Sequence, residues 1–72
     1  MNDVIVGKVY RHKGGGLTYR VECILLDATG YESGETPKPF VLYIQLEKGK
    51  YPKGTRWVRK LTDFLDNFQI VS

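Results

Sequence analysis

The chain has a single cysteine and a single histidine among its 72 residues. No apolar run approaches the ~18 residues needed to cross a bilayer. Cys23 alone cannot close an internal disulfide, so a reducing compartment, the cytoplasm, is the expected location. Cys23 and His12 together fall short of the Cys/His ligand set of a structural zinc site, and no metal or other cofactor is expected. The opening Met1-Asn2-Asp3 does not read as a signal peptide. A P-loop, a Gly-x-Ser-x-Gly elbow and a His-Glu-x-x-His helix are all missing, as are repeats, low-complexity tracts and linkers. The length leaves no space for a second domain or a dinucleotide-binding unit. A chain of this size buries only ~60% of the surface its unfolded form exposes, so residues 1–72 are expected to form one domain with a thin core.

What is present is ordinary globular composition. Hydrophobic residues make up 42% and charged residues 26%, which separates the chain from disordered sequences. The formal charge of +3 is too mild to imply nucleic acid by itself, but its distribution is uneven. Glu47 to Lys60 holds Lys48, Lys50, Lys53, Arg56, Arg59 and Lys60 against Glu47 alone. Lys8, Arg11, Lys13 and Arg20 form an acid-free stretch, whereas Val21 to Glu35 carries Glu22, Asp27, Glu32 and Glu35 without a cation. Such a dipolar chain steers an anion to one side, although lysines in a turn, such as Lys48, Lys50 and Lys53, equally serve solvation.

Short β-rich runs separated by glycine and proline predict strands over Val4–His12, Tyr19–Leu26, Phe40–Leu46, Thr55–Lys60 and Gln69–Val71. Lys13-Gly14-Gly15-Gly16 breaks the first from the second, and Asp27–Pro39 is the longest loop. Leu61–Asn67 reads as a short helix with Thr62 as N-cap and Asp63 at its positive end. Alternation groups Tyr19, Val21, Cys23 and Leu25 on one face of the second strand, with Cys23 as a small core residue. Ile24 and Leu26 join the opposite face, so that end of the strand is expected to be covered on both sides. On the third strand Phe40, Leu42, Ile44 and Leu46 oppose Val41, Tyr43 and Gln45. Strands, one helical turn and a closing strand predict an all-β, SH3-like small barrel.

Gly7, Tyr10-Arg11-His12, Lys13-Gly14 and Tyr19-x-Val21, followed by Val41-Leu42-Tyr43, Gly49, Trp57-Val58-Arg59 and Phe64, carry a resemblance. In that order they resemble the small bacterial and phage family catalogued as domain of unknown function 1653, over about Gly7 to Phe68. The chain departs from the pattern at Gly15-Gly16-Leu17-Thr18 and Tyr51-Pro52-Lys53-Gly54, which lengthen two turns, and at Lys60, where the family usually has proline. The resemblance implies an SH3-like roll and a shared surface, and it implies no reaction.

Catalysis finds little support in the residues. A Cys–His nucleophilic pair requires Cys23 exposed and in reach of His12. Gly14-Gly15-Gly16 lacks the Gly-Lys-Ser/Thr ending of a phosphate cradle. Glu32, Glu35 and Asp27 are loop carboxylates with no visible means of raising a pKa. A non-enzymatic binding module is therefore expected. If Val9 and Val58 face inward, alternation turns Tyr10, His12, Tyr43, Trp57 and Arg59 outward onto one concave side. Aromatic faces stack on flat rings and arginine pairs with phosphate. The candidate site is thus Tyr10, Tyr43 and Trp57 as stacking residues with Arg11, His12, Lys13 and Arg59 as phosphate contacts. Its expected ligand is a nucleotide, a cyclic oligonucleotide or a short single-stranded nucleic acid. The aromatics have a second reading as barrel interior, and Arg11 a second reading as the partner of Asp27 or Asp63 in an ion pair. A protein module for an acidic or extended peptide is the alternative function, with a ligand-free homo-oligomer third. No membrane partner is expected.

Overall fold

The computed structural model describes residues 4–71; the Met1-Asn2-Asp3 opening lies outside them. Its order is β1 (Val9–His12), β2 (Thr18–Asp27), a 3-10 turn (Tyr31–Ser33), β3 (Lys38–Gln45), β4 (Arg56–Lys60), α1 (Leu61–Asn67) and β5 (Phe68–Ile70). All pairings are antiparallel, in the spatial order β4-β3-β2-β1-β5. The all-β reading stands. Closure into a barrel does not, because β4 and β5 are the two outer strands of an open sheet. No helix of the described residues is long and apolar enough to cross a membrane.

Most element positions follow from composition, with local corrections. The first strand starts at Val9 rather than Val4, because Gly7 adopts φ of 90° and bends the chain. Gly7 N–H nevertheless donates to Val21 O at 2.8 Å, so the bent segment stays tied to the sheet. The helix occupies Leu61–Asn67 as expected, but its N-cap is Lys60, which makes no side-chain cap bond, and Thr62 lies inside it. Asp63 remains in the first turn, where its charge suits the helix dipole.

The sheet buries the opposite face from the one first assigned. Tyr10 and Tyr43, expected outward, are buried, whereas Val58, taken as an inward marker, is 56% exposed. Tyr10, Val21, Val41, Tyr43, Phe64 and Phe68 form the core, with Val4, Tyr19, Trp57 and Leu61 packed against it. Four of those six core residues are aromatic, which is how so few side chains fill it: each ring buries ~150–250 Å². Phe64 and Phe68, one helical turn apart on α1 and its junction with β5, stack at 4.2 Å. Tyr10 meets the edge of Phe64 at 5.2 Å, and Tyr43 packs on Phe64 and Phe68 at 5.2 and 5.3 Å. The Tyr10 hydroxyl accepts a bond from Ile5 N–H at 3.0 Å, which satisfies its polar end.

A bulge accounts for the error on β2. Val21 pairs with Tyr43, but Cys23 pairs with Leu42, so Glu22 is an extra residue and the alternation reverses beyond it. Cys23 is therefore exposed instead of buried. Leu25 (39%), Ile24 (40%) and Leu26 (64%) lie bare at the far end of the strand, which is not covered on both sides. Arg11 is exposed, and it is Arg59 that takes Asp63 as its ion-pair partner.

Candidate functional site

The open seam of the sheet forms a cleft of about 310 Å³. His12 and Gly15 line it from the end of β1 and its turn, Leu17 and Tyr19 from the start of β2, Tyr43 from β3, Trp57 and Arg59 from β4, and Phe68 from β5. Backbone bonds do not join β4 to β5; a side chain spans the gap instead. The Arg59 guanidinium carbon sits 5.2 Å from the centre of the Phe68 ring, a cation–π contact.

Three contacts hold Arg59. Its Nε donates to the Tyr43 hydroxyl at 3.3 Å, Nη1 donates to Asp63 Oδ2 at 2.9 Å, and its plane rests on Phe68. Burial pulls its pKa down, but the hydrogen bond to Tyr43 and the charge of Asp63 outweigh this, and the net direction is upward. The guanidinium is therefore a fixed cation, and among the described residues Nη2 has no hydrogen-bond partner.

Trp57 is held from the other side. Its indole Nε1–H donates to Gln45 Oε1 at 3.1 Å, and Tyr51 meets its ring edge-on at 5.1 Å. The indole packs on the core and lines the cleft, so both readings of this residue apply to it. Tyr19 lies edge-to-face with Tyr43 at 5.3 Å and with Phe68 at 5.6 Å. Desolvation raises its phenol pKa, with a further rise from Tyr43 and an opposing pull from Arg59, so the hydroxyl stays protonated as a donor.

His12 organises the glycine turn. Its Nδ1 accepts from Gly14 N–H at 3.0 Å and Gly15 N–H at 3.1 Å, while Gly16 N–H donates to His12 O at 3.1 Å. Gly16 takes φ of 78°, a conformation other residues adopt with strain. All three glycine amides are committed within the turn, so this loop does not present them to a phosphate. The His12 ring also meets Phe68 edge-on at 4.9 Å. Glu47 secures the neighbouring rim: its Oε2 accepts from the backbone N–H and the hydroxyl of Thr18, each at 2.8 Å. Those bonds, side chain first and backbone second, lower its pKa.

The structure thus brings four of the expected residues, His12, Tyr43, Trp57 and Arg59, to one cleft. It does not bring the other three. Tyr10 is buried beneath Phe64. Arg11 pairs with Thr18 and Gln69 on the far face of the sheet. Lys13 caps α1, its N–H donating to Asn67 O at 2.9 Å and its Nζ to Asp66 O at 3.2 Å. Sequence reasoning missed Gly15, Leu17, Tyr19 and Phe68 as cleft residues. Tyr19 carried a signal, since a tyrosine at the start of a core strand can bury its ring while keeping its hydroxyl at the rim. Cys23 and His12 lie on opposite faces, because Cys23 shares its side with Leu42 and His12 shares its side with the buried Phe68. Glu32 and Glu35 are exposed in the β2–β3 loop and take no part in the cleft lining.

Searches of protein-family profiles, of curated proteins and of solved structures found no match to this chain.

Proposed function

We propose that this protein is a non-enzymatic binding module whose seam cleft takes an anionic, ring-bearing ligand: a nucleotide, or one nucleotide unit of a cyclic oligonucleotide or short single strand. The observation that carries the reading is the pairing of Trp57 with Arg59 in one cleft. A flat aromatic wall stands beside a cation whose Nη2 has no partner among the described residues. Tyr19, Trp57 and His12 offer ring faces or edges to a base, and Nη2 offers a directed donor to phosphate. At about 310 Å³ the cleft falls at the lower end of the ~300–1,000 Å³ range of small-molecule sites, which favours one nucleotide unit over an extended strand. Cytoplasmic residence fits a nucleotide ligand and a lone thiol.

The family resemblance belongs to the same proposal. The residues that carry it include Tyr10, Val21, Val41, Tyr43 and Phe64 in the core and His12, Tyr19, Trp57 and Arg59 at the cleft. A shared fold and a shared cleft are what such a pattern preserves.

The test is a titration of Trp57 emission with mononucleotides, cyclic dinucleotides and a short single-stranded oligonucleotide at two salt concentrations. Saturable quenching by a mononucleotide, weakened in Arg59→Lys and lost in Arg59→Ala, is expected. A shallow salt dependence is expected as well, since few phosphates are neutralised. Emission that responds to none of these ligands but moves with an acidic peptide would replace this reading with the peptide-binding one.

A further inference from the structure

The face of the sheet opposite the cleft is apolar where a solvated face would be polar. Cross-strand partners share a side, so Cys23–Leu42–Val58 forms an apolar row across β2, β3 and β4, and Leu25–Phe40 forms an adjacent one across β2 and β3 that ends on Lys60 at β4. Cys23, Leu25 and Val58 are exposed, and Phe40 and Leu42 are only half-buried. Leu25, Leu26, Phe40 and Val58 also line a depression of about 350 Å³.

Charge frames these rows unequally. On one side lies the row Arg20–Ile44–Arg56, with Arg11 beyond it; Glu22 Oε2 lies 3.9 Å from Arg20 Nε, which leaves this end with a surplus of two cations. On the other lies the hairpin end, where Asp27, Glu32 and Glu35 stand against Lys38 and Lys60, a surplus of one acid. Ile44 and Lys38 are six residues apart on β3, a span of ~20 Å at the usual rise per strand residue. The midpoint falls at Val41 on β3 and at Cys23 and Ile24 on β2, among the apolar rows.

We infer that this outer face is a dimer interface that packs against the same face of a second copy of the chain. The charge pattern selects this occupant because it is self-complementary. A two-fold axis lying in the interface and crossing the strands superposes the apolar rows and sets each arginine end over the partner's acidic hairpin end. An axis along the strands would oppose arginine to arginine. The cleft lies on the other face and remains open in such a dimer, so the interface and the ligand site stand or fall separately.

Sedimentation of the whole chain over a wide concentration range tests this. Dimers are expected at low salt, with Val58→Glu shifting the population to folded monomer. Arg20→Glu with Arg56→Glu should weaken association at least roughly tenfold at low salt, less when salt screens the charges. Adding Glu32→Arg and Glu35→Arg to that variant should restore it. These surface exchanges keep the test open if Val58→Glu fails to fold. Packed sheets lie ~10 Å apart, so Cys23 of each copy, near the axis, should be joined by a short bismaleimide rather than a disulfide. A chain that stays monomeric throughout overturns the inference. So does a dimer in which folded Val58→Glu associates unchanged and Cys23 does not cross-link.

Discussion

Among the described residues Gln45 is the buried polar residue of the core, and its side-chain bonds serve the rim of the cleft. Nε2 donates to Glu47 O at 2.9 Å and Tyr51 O at 2.7 Å, while Oε1 accepts from Trp57. Leucine at this position would keep the volume but leave the Glu47 carbonyl and the indole N–H without their partner, while the Tyr51 carbonyl keeps its bond from Gly49 N–H at 3.0 Å. Gln45→Leu is expected to cost about 2 kcal/mol, read from the denaturation midpoint, and to move the Trp57 indole N–H resonance. An unchanged indole signal would mean that Gln45 does not position Trp57. His12 gives a second prediction at this scale. Because Nδ1 accepts two backbone bonds, neutral His12 must carry its proton on Nε2, which nitrogen NMR reads directly. A proton found on Nδ1 would rule out the turn as described.

Among the elements, strands and helix were legible in the sequence, and the direction they face was not. β3 is apolar on both sides, with Phe40, Leu42 and Ile44 opposing Val41 and Tyr43, so alternation separates two sets without saying which is buried. The choice of Val9 and Val58 as inward markers therefore inverted the assignment. Trp57 and Arg59 still emerged as site residues because they line a seam, where the inner face meets solvent. The Glu22 bulge left no mark in composition, since nothing in Val21-Glu22-Cys23 differs from a regular strand; it is visible only in the pairing of β2 with β3. Phe68 follows directly on the helical run, and only the Arg59 contact across the seam makes it a cleft wall.

Two measurements belong to this scale. Phe64 is fully buried and touches Tyr10, Tyr43 and Phe68, so Phe64→Ala is expected to cost about 3–5 kcal/mol in the denaturation midpoint. The link between β2 and the turn after β3 should fail in acid. Glu47 has a lowered pKa, so its contribution is complete above the ordinary carboxylate value and fades as pH falls through the lowered one. Glu47→Gln should flatten the loss of stability between about pH 5 and pH 3. Identical acid profiles for the two proteins would show that the bonds to Thr18 carry no linkage.

At the scale of the molecule, the sheet uses its two faces differently. The inner face buries an aromatic core and opens at one seam, where an arginine laid on Phe68 takes the place of strand pairing. The outer face carries apolar rows between ends of opposite charge. Backbone and side-chain amide NMR of the protein titrated with adenosine monophosphate tests the central claim most directly. Saturable shifts should cluster at the Trp57 indole N–H, Gly15, Leu17, Tyr19 and Arg59, leaving Cys23, Leu42 and Val58 in place. Shifts scattered over the outer face, or none at the indole, would contradict a ligand site at the seam.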